Sequence, residues 1–144
     1  MVCYNNVMTH PILWTVILGG IGVLNTIYLS YHAIRKTYVK CLFFPEESCR
    51  KVQESKYSKT MGIPNGFLGF GMYALIFVLA LLYHYGAVAT FVPALALIFI
   101  GFLFSLYFLY LQAFVIKAYC TWCVLSAIDF TLLFLLVFLP TLLR

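Results

Sequence analysis

TFVPALALIFIGFLFSLYFLYLQAFVI, residues 90–116, contains no charged side chain. A run this long and this apolar exceeds the ~20 residues that a helix needs to cross the hydrocarbon of a bilayer. Similar runs lie on both sides of it, at about residues 121–143, 64–84 and 11–33. The chain of 144 residues is 65% hydrophobic and only 9% charged, with a mean hydropathy of +1.03. No soluble domain of this size carries such a composition without aggregating. The sequence therefore predicts an all-α integral membrane protein, a four-transmembrane-helix bundle forming a single domain over residues 1–144. A cleaved leader is not expected, because the first run is too long for a signal h-region, lacks a basic flank and shows no clear cleavage site.

One sizeable extramembrane segment remains, at about residues 34–63, between helices 1 and 2. Seven of the nine Lys and Arg residues fall in it (Arg35, Lys36, Lys40, Arg50, Lys51, Lys56, Lys59), with Glu46, Glu47 and Glu54, whereas the connection from Tyr83 to Thr90 has none. Cys49 to Lys59 contains no Gly or Pro and is expected to form a short helix on the membrane surface. Ile63-Pro64 should end it and start the second span, since Pro is tolerated in a first helical turn. Spans two and three make one out-and-back excursion, so this loop and the turn at Lys117 to Tyr119 share a face. Cys41, Cys49, Cys120 and Cys123 can meet there. Cys3 precedes the first span and is expected on the opposite face.

Several chemistries use two cysteine pairs. Zinc and iron–sulfur sites favour closely spaced ligands, and the gap between Cys41 and Cys49 fits them poorly, so no metal site is expected. A dithiol relay needs one pair open to an outside protein and another that reaches a final acceptor. The loop pair meets the first requirement. Cys120-Thr121-Trp122-Cys123 opens the fourth span, where the positive end of the helix dipole and Lys117 favour thiolate, the attacking species in disulfide exchange. Helical rise places Cys123 about 4.5 Å deeper than Cys120, so Cys120 should communicate with the loop and Cys123 with the lipid side. Static disulfides or plain core packing are the alternative for a lone CxxC; a second pair on the same face favours the relay.

Cys41 to Cys49, then Ser55, then Gly62-Ile63-Pro64-Asn65-Gly66-Phe67-Leu68-Gly69, then Cys120-Thr121-Trp122-Cys123 resemble the vitamin K epoxide reductase family, particularly its microbial disulfide-generating members. The likeness covers nearly the whole chain and includes Asn25-Thr26-Ile27-Tyr28-Leu29-Ser30 leading to His32. It implies that a reduced thioredoxin-fold dithiol protein passes electrons to Cys41 and Cys49, with Cys41 the contact. Cys49 would exchange with Cys120, and Cys123 would donate to a quinone of menaquinone, ubiquinone or phylloquinone type within the bundle. Asn65 would hydrogen-bond a quinone carbonyl, as an amide at a helix N-terminus can, and Ser55 would hold the loop over the pocket or assist at the quinone. By itself, Asn65 reads first as a helix cap and Ser55 as a solvated hydroxyl; only the resemblance lifts them. Animal members that reduce vitamin K have a tyrosine where this chain has Ala127, which speaks against epoxide recycling; reduction of a quinone or vitamin K epoxide for its own sake stays as the alternative reading. Some microbial members carry a fused thioredoxin-like domain; this chain stops at Arg144, and a separate partner is expected.

Other residues carry less. Asp129 lies inside the fourth span but points nearly opposite Cys120 at about 100° per residue, which suggests an interhelical hydrogen bond or a cap on a polar neighbour rather than chemistry. His10, His32 and His84 flank different helix ends. Gly19, Gly22, Gly66, Gly69, Gly101 and Ser105 suit close helix packing, and Trp122 suits either the pocket mouth or an interfacial anchor. The net charge of +5 suggests attraction to anionic headgroups and no nucleic-acid partner. The positive-inside rule counts eight basic residues on the cysteine face against Arg144 on the other, which taken literally makes that face cytoplasmic. Most members of the family that the chain resembles act on the exoplasmic side, where disulfides persist, and that is the expected placement, with an inverted enzyme making cytosolic disulfides as the alternative.

Overall fold

A computed structural model describes residues 6–144; Cys3 lies outside the described residues. Among the described residues, four helical spans are long and apolar enough to cross a membrane: His10–Arg35, Asn65–His84, Val92–Ile116 and Thr121–Leu142. They correspond to α1 (Asn6–Arg35), α3 (Asn65–His84), α4 (Val92–Tyr110) continued by a π turn over Leu111–Ile116, and α5 (Thr121–Leu133) continued through a second π turn, Phe134–Phe138, into α6 (Leu139–Leu142). Between the first two spans lie α2 (Glu46–Glu54), a 3-10 turn (Lys56–Ser58) and a two-stranded antiparallel hairpin, β1 (Lys59–Thr60) with β2 (Ile63–Pro64).

The bundle closes on small residues and rings. On α1 the buried positions Ile12, Thr15, Leu18, Gly22, Thr26 and Ser30 recur at helical spacing and face α3 and α5. A Cβ on Gly22 would stand 2.2 Å from the Tyr73 ring, and one on Gly101 would stand 2.1 Å from the Phe130 ring. Tyr73 and Phe130 stack with centroids 4.5 Å apart. Gly22, Tyr73, Phe130 and Gly101 thus form one layer that touches all four spans, and no other residue type fits its two ends. Thr26 donates to the Gly22 carbonyl and Ser105 to that of Gly101, so hydroxyls in lipid-depth helices find partners on their own backbone. The outward positions, such as Leu24 and Ile100, are exposed, as a lipid-facing surface requires.

The surface helix begins earlier and ends sooner than the expected Cys49 to Lys59. Pro45 stands at its N-cap and Glu46 and Glu47 fill its first turn, where acids complement the helix dipole. Its inner face buries Cys49 and Val52. Ser55 turns the chain extended, at φ −65° and ψ 151°. Instead of continuing helical, the chain forms the hairpin, whose tip holds Met61 at φ 54° and Gly62 at φ 81°. Pairing of two left-handed residues matches strand twist. Pro64 precedes the second span rather than sitting in its first turn, which Asn65 opens.

Candidate functional site

Cys41 and Cys49 form a disulfide with Cα atoms 6.0 Å apart, while Cys120 and Cys123 are free thiols. Burial splits each pair: Cys49 and Cys120 are both 0% exposed, whereas Cys41 and Cys123 remain partly open. Cys49 and Cys120 belong to one apolar cluster with Val39, Val52, Leu111, Ile116 and Ala118, and Cys41, Cys123 and Trp122 pack against it. All four cysteines are therefore gathered at one end of the bundle, with the two buried sulfurs at its centre.

Side chains bonded to backbone hold this arrangement. Thr121, 1% exposed, accepts from the backbone N–H groups of Leu42 and Phe43 through Oγ1, at 3.3 and 3.4 Å. The Trp122 indole donates to the Lys40 carbonyl at 2.8 Å, and the Tyr119 N–H donates to Ser48 Oγ at 2.9 Å. Trp122 is thus a strap across the loop, packed on Tyr28 with centroids 4.5 Å apart. Gln112, fully buried, accepts from the Cys120 N–H through Oε1 at 2.9 Å, and its carbonyl accepts from the Ala118 N–H at 3.1 Å. The π turn delivers Gln112 to that position, and Lys117 at φ 56° reverses the chain after it. Such π turns recur at functional sites.

The outer side of α2 is pinned as well. Tyr38 donates to Glu54, Arg50 pairs with Glu54 at 3.1 Å, and the Val39 N–H donates to Gln53 Oε1. The hydrogen bond from Tyr38, followed by that from Arg50, holds the Glu54 carboxyl below its ordinary range. At the membrane boundary the Cys120 thiol is brought down to about 7, chiefly by a hydrogen bond from the Cys123 thiol, with burial opposing.

Asn65 and Ser55 sit at the rim of this end. Asn65 donates one amide N–H to the Tyr57 carbonyl and accepts from the Thr60 hydroxyl, both at 2.7 Å, and caps no helix. It latches the hairpin and the 3-10 turn to the start of α3, and Tyr57 packs against the cysteine cluster. Ser55 donates to the Val52 carbonyl at 2.7 Å and lines a surface cleft of about 340 Å³ with Lys51, Tyr57 and Ile116. Asp129 is 7% exposed in the bundle interior, where the Tyr73 hydroxyl donates to the Ser126 carbonyl at 3.2 Å. Four polar residues at the site escape sequence reasoning as contributors: Thr121, Gln112, Ser48 and Asn25, the last of which donates from α1 to the Trp122 carbonyl and to Ser126 Oγ. A threonine inside a CxxC and a glutamine within an apolar span were the available signals.

A family model described as the vitamin K epoxide reductase family matches residues 13–138. No curated protein matches the chain. The match takes in most of the first span, every element from α2 to the second π turn and all four cysteines of the cluster, so the chain belongs to the vitamin K epoxide reductase family, whose chemistry is membrane-bound oxidoreduction linking thiols and quinones.

Proposed function

On the premise of that membership, we propose that the chain is a membrane thiol–disulfide oxidoreductase. It oxidises a separate thioredoxin-fold dithiol protein, carries the electrons through two cysteine pairs and delivers them to a membrane quinone, so that disulfides form in client proteins. The observation that carries this reading is the split burial: Cys41 is reachable from outside, while Cys49 and Cys120 share one sealed cluster.

The steps balance in this order. A partner thiolate attacks Cys41 Sγ and Cys49 leaves as thiolate; the partner's second thiol resolves the mixed disulfide and departs oxidised. Cys49 attacks Cys120 of an oxidised Cys120–Cys123 pair, releasing Cys123 as thiolate. Cys41 then resolves the Cys49–Cys120 bond, which restores the loop disulfide and leaves Cys120 and Cys123 reduced. A loop disulfide beside two free thiols corresponds to this last stage. A membrane quinone supplies the two-electron, two-proton sink that returns Cys120 and Cys123 to a disulfide.

Unused polar capacity at this end fits such an acceptor. Asn65 keeps a second amide N–H after donating to Tyr57, a donor for a carbonyl oxygen. Ser55 serves by fixing the end of α2 through Val52. The cysteine face is read as exoplasmic, where the disulfides it makes persist, with the basic loop serving partner docking and thiolate stabilisation.

The test is to mix oxidised protein with a reduced thioredoxin-fold dithiol protein and a short-chain quinone and to follow quinone reduction beside a Cys123→Ala control. Turnover that vanishes in the control is the expected result. Absence of turnover across several quinones and dithiol donors would leave static structural disulfides as the better reading.

A further inference from the structure

Asn25 lies within the first span, yet its amide is committed to the helix that carries the reactive cysteines. Nδ2 donates to the Trp122 carbonyl at 3.1 Å and to Ser126 Oγ at 2.8 Å. A backbone carbonyl only accepts, so the amide orientation is set, and both Nδ2 hydrogens are used. Oδ1 faces the other way, is buried, and has no hydrogen-bond partner. An acceptor left so inside a protein is destabilising and is uncommon enough to demand a reason.

Its surroundings limit what can satisfy it. Trp122 and Ser126 bracket Cys123 on a single turn, and at about 100° per residue Cys123 lies about 60° around the helix from Ser126. One turn along α1 from Asn25, Tyr28 and Leu29 pack into the cluster that Cys123 also touches. The Cys123 thiol itself is engaged with Cys120, and the neighbouring Thr26 hydroxyl donates to the Gly22 carbonyl. Among the described residues no side chain supplies the missing donor, which leaves the position to water or to a ligand beside Cys123.

Resting on the quinone reading above, we infer that Asn25 is a binding residue that recognises the reduced, hydroxyl-bearing form of the acceptor, its Oδ1 receiving a ring hydroxyl. A quinone carbonyl presents only lone pairs and would meet Oδ1 with repulsion, whereas a quinol hydroxyl donates. The oxygen therefore distinguishes product from substrate and stabilises the protonated product next to the cysteine pair that reduces it.

The experiment uses the full chain, held reduced and anaerobic so that neither ligand reacts, with equilibrium partition of a decyl hydroquinone and of its dimethyl ether as readout. The native chain should bind the hydroquinone about tenfold more tightly than the ether, the size of one hydrogen bond. Asn25→Leu should erase that ratio; because leucine fills a similar volume, a merely steric objection to the methyl groups would survive the change. A purely structural role would weaken both ligands equally and preserve the ratio, which would overturn the inference. So would a ratio near one in the native chain, a result that needs no variant to fold. If the native chain reduces a quinone but shows no ratio, only the role of Asn25 fails; if it neither reduces a quinone nor binds either ligand, the quinone reading fails first.

Discussion

The middle of the bundle and its cysteine end are held by different forces. In the middle, Gly22, Tyr73, Phe130 and Gly101 interlock by shape, with ring atoms where a Cβ would have to be. At the cysteine end, the loop is held by a few bonds between side chains and backbone: Thr121 to Leu42 and Phe43, Trp122 to Lys40, Ser48 to Tyr119. Packed rings tolerate no intermediate position, whereas a hydrogen bond can break and re-form at a net difference of about 1 kcal/mol. A relay in which Cys49 exchanges between Cys41 and Cys120 needs its loop to shift, and it needs a bundle that does not. The two regions divide those requirements between them.

The largest effect should follow from breaking the rigid half. Gly101→Leu drives a side chain into the Phe130 ring and through it into Tyr73, touching every span. Overpacking of this kind costs about 3 kcal/mol or more where neighbours cannot move, and the expected outcome is a chain that unfolds at markedly lower temperature in detergent or fails to accumulate. If the variant melts within a few degrees of the native chain, the layer is not what fixes the bundle.

A smaller and more selective effect is expected at the other half. Thr121→Val keeps the shape and removes the acceptor that Leu42 N–H and Phe43 N–H share. The loss of a buried hydrogen-bonding partner is worth about 1–2 kcal/mol, so the loop should open roughly tenfold more often. Small-molecule dithiols should reduce Cys41–Cys49 faster by about that factor, while passage of electrons onward to Cys120 slows and thermal unfolding of the bundle hardly changes. Stopped-flow reduction beside a melting curve separates the two. An equal fall in melting temperature for Thr121→Val and Gly101→Leu would erase the division of labour.

How much of this the amino acids announce differs between the same two regions. Uncharged runs such as residues 90–116 declare the spans outright, because lipid leaves a backbone no choice but helix, and the small residues at Gly22 and Gly101 declare close packing. The loop is less open to reading. Pro45 with Glu46 and Glu47 could have placed the start of α2, since a fixed φ and acids in a first turn are local signals. The hairpin could not be seen so easily, for Met61-Gly62 lacks the Asn-Gly or Asp-Gly that marks such turns. Asn65 was legible as important but not as a latch, because its partners Tyr57 and Thr60 matter only once the chain has turned back. The bonds from Thr121 and Ser48 join residues more than seventy positions apart, and no local pattern encodes them.

The subtlest change concerns one proton at the boundary between the halves. Cys120 lies just before the fourth span, and the hydrogen bond from Cys123 brings its thiol from an ordinary 9.0 down to about 7. A depressed value means the folded dithiol form releases this proton before the unfolded chain does, so the stabilisation is fully present above pH 9, the unfolded value. It is lost as the pH falls through 7. In the reduced chain, the thiolate absorbance of Cys120 should therefore rise through about pH 7, and the melting temperature should climb between pH 7 and 9. Cys123→Ala removes the largest cause of the shift, while burial, which opposes it, stays; the midpoint should move upward and the climb in stability should flatten. Gly101→Leu adds and removes no titrating group, so the variant, if it can be purified, should lower the whole curve and leave its shape alone. A midpoint that does not move in Cys123→Ala would mean that the helix end, rather than the neighbouring thiol, sets the reactivity of Cys120.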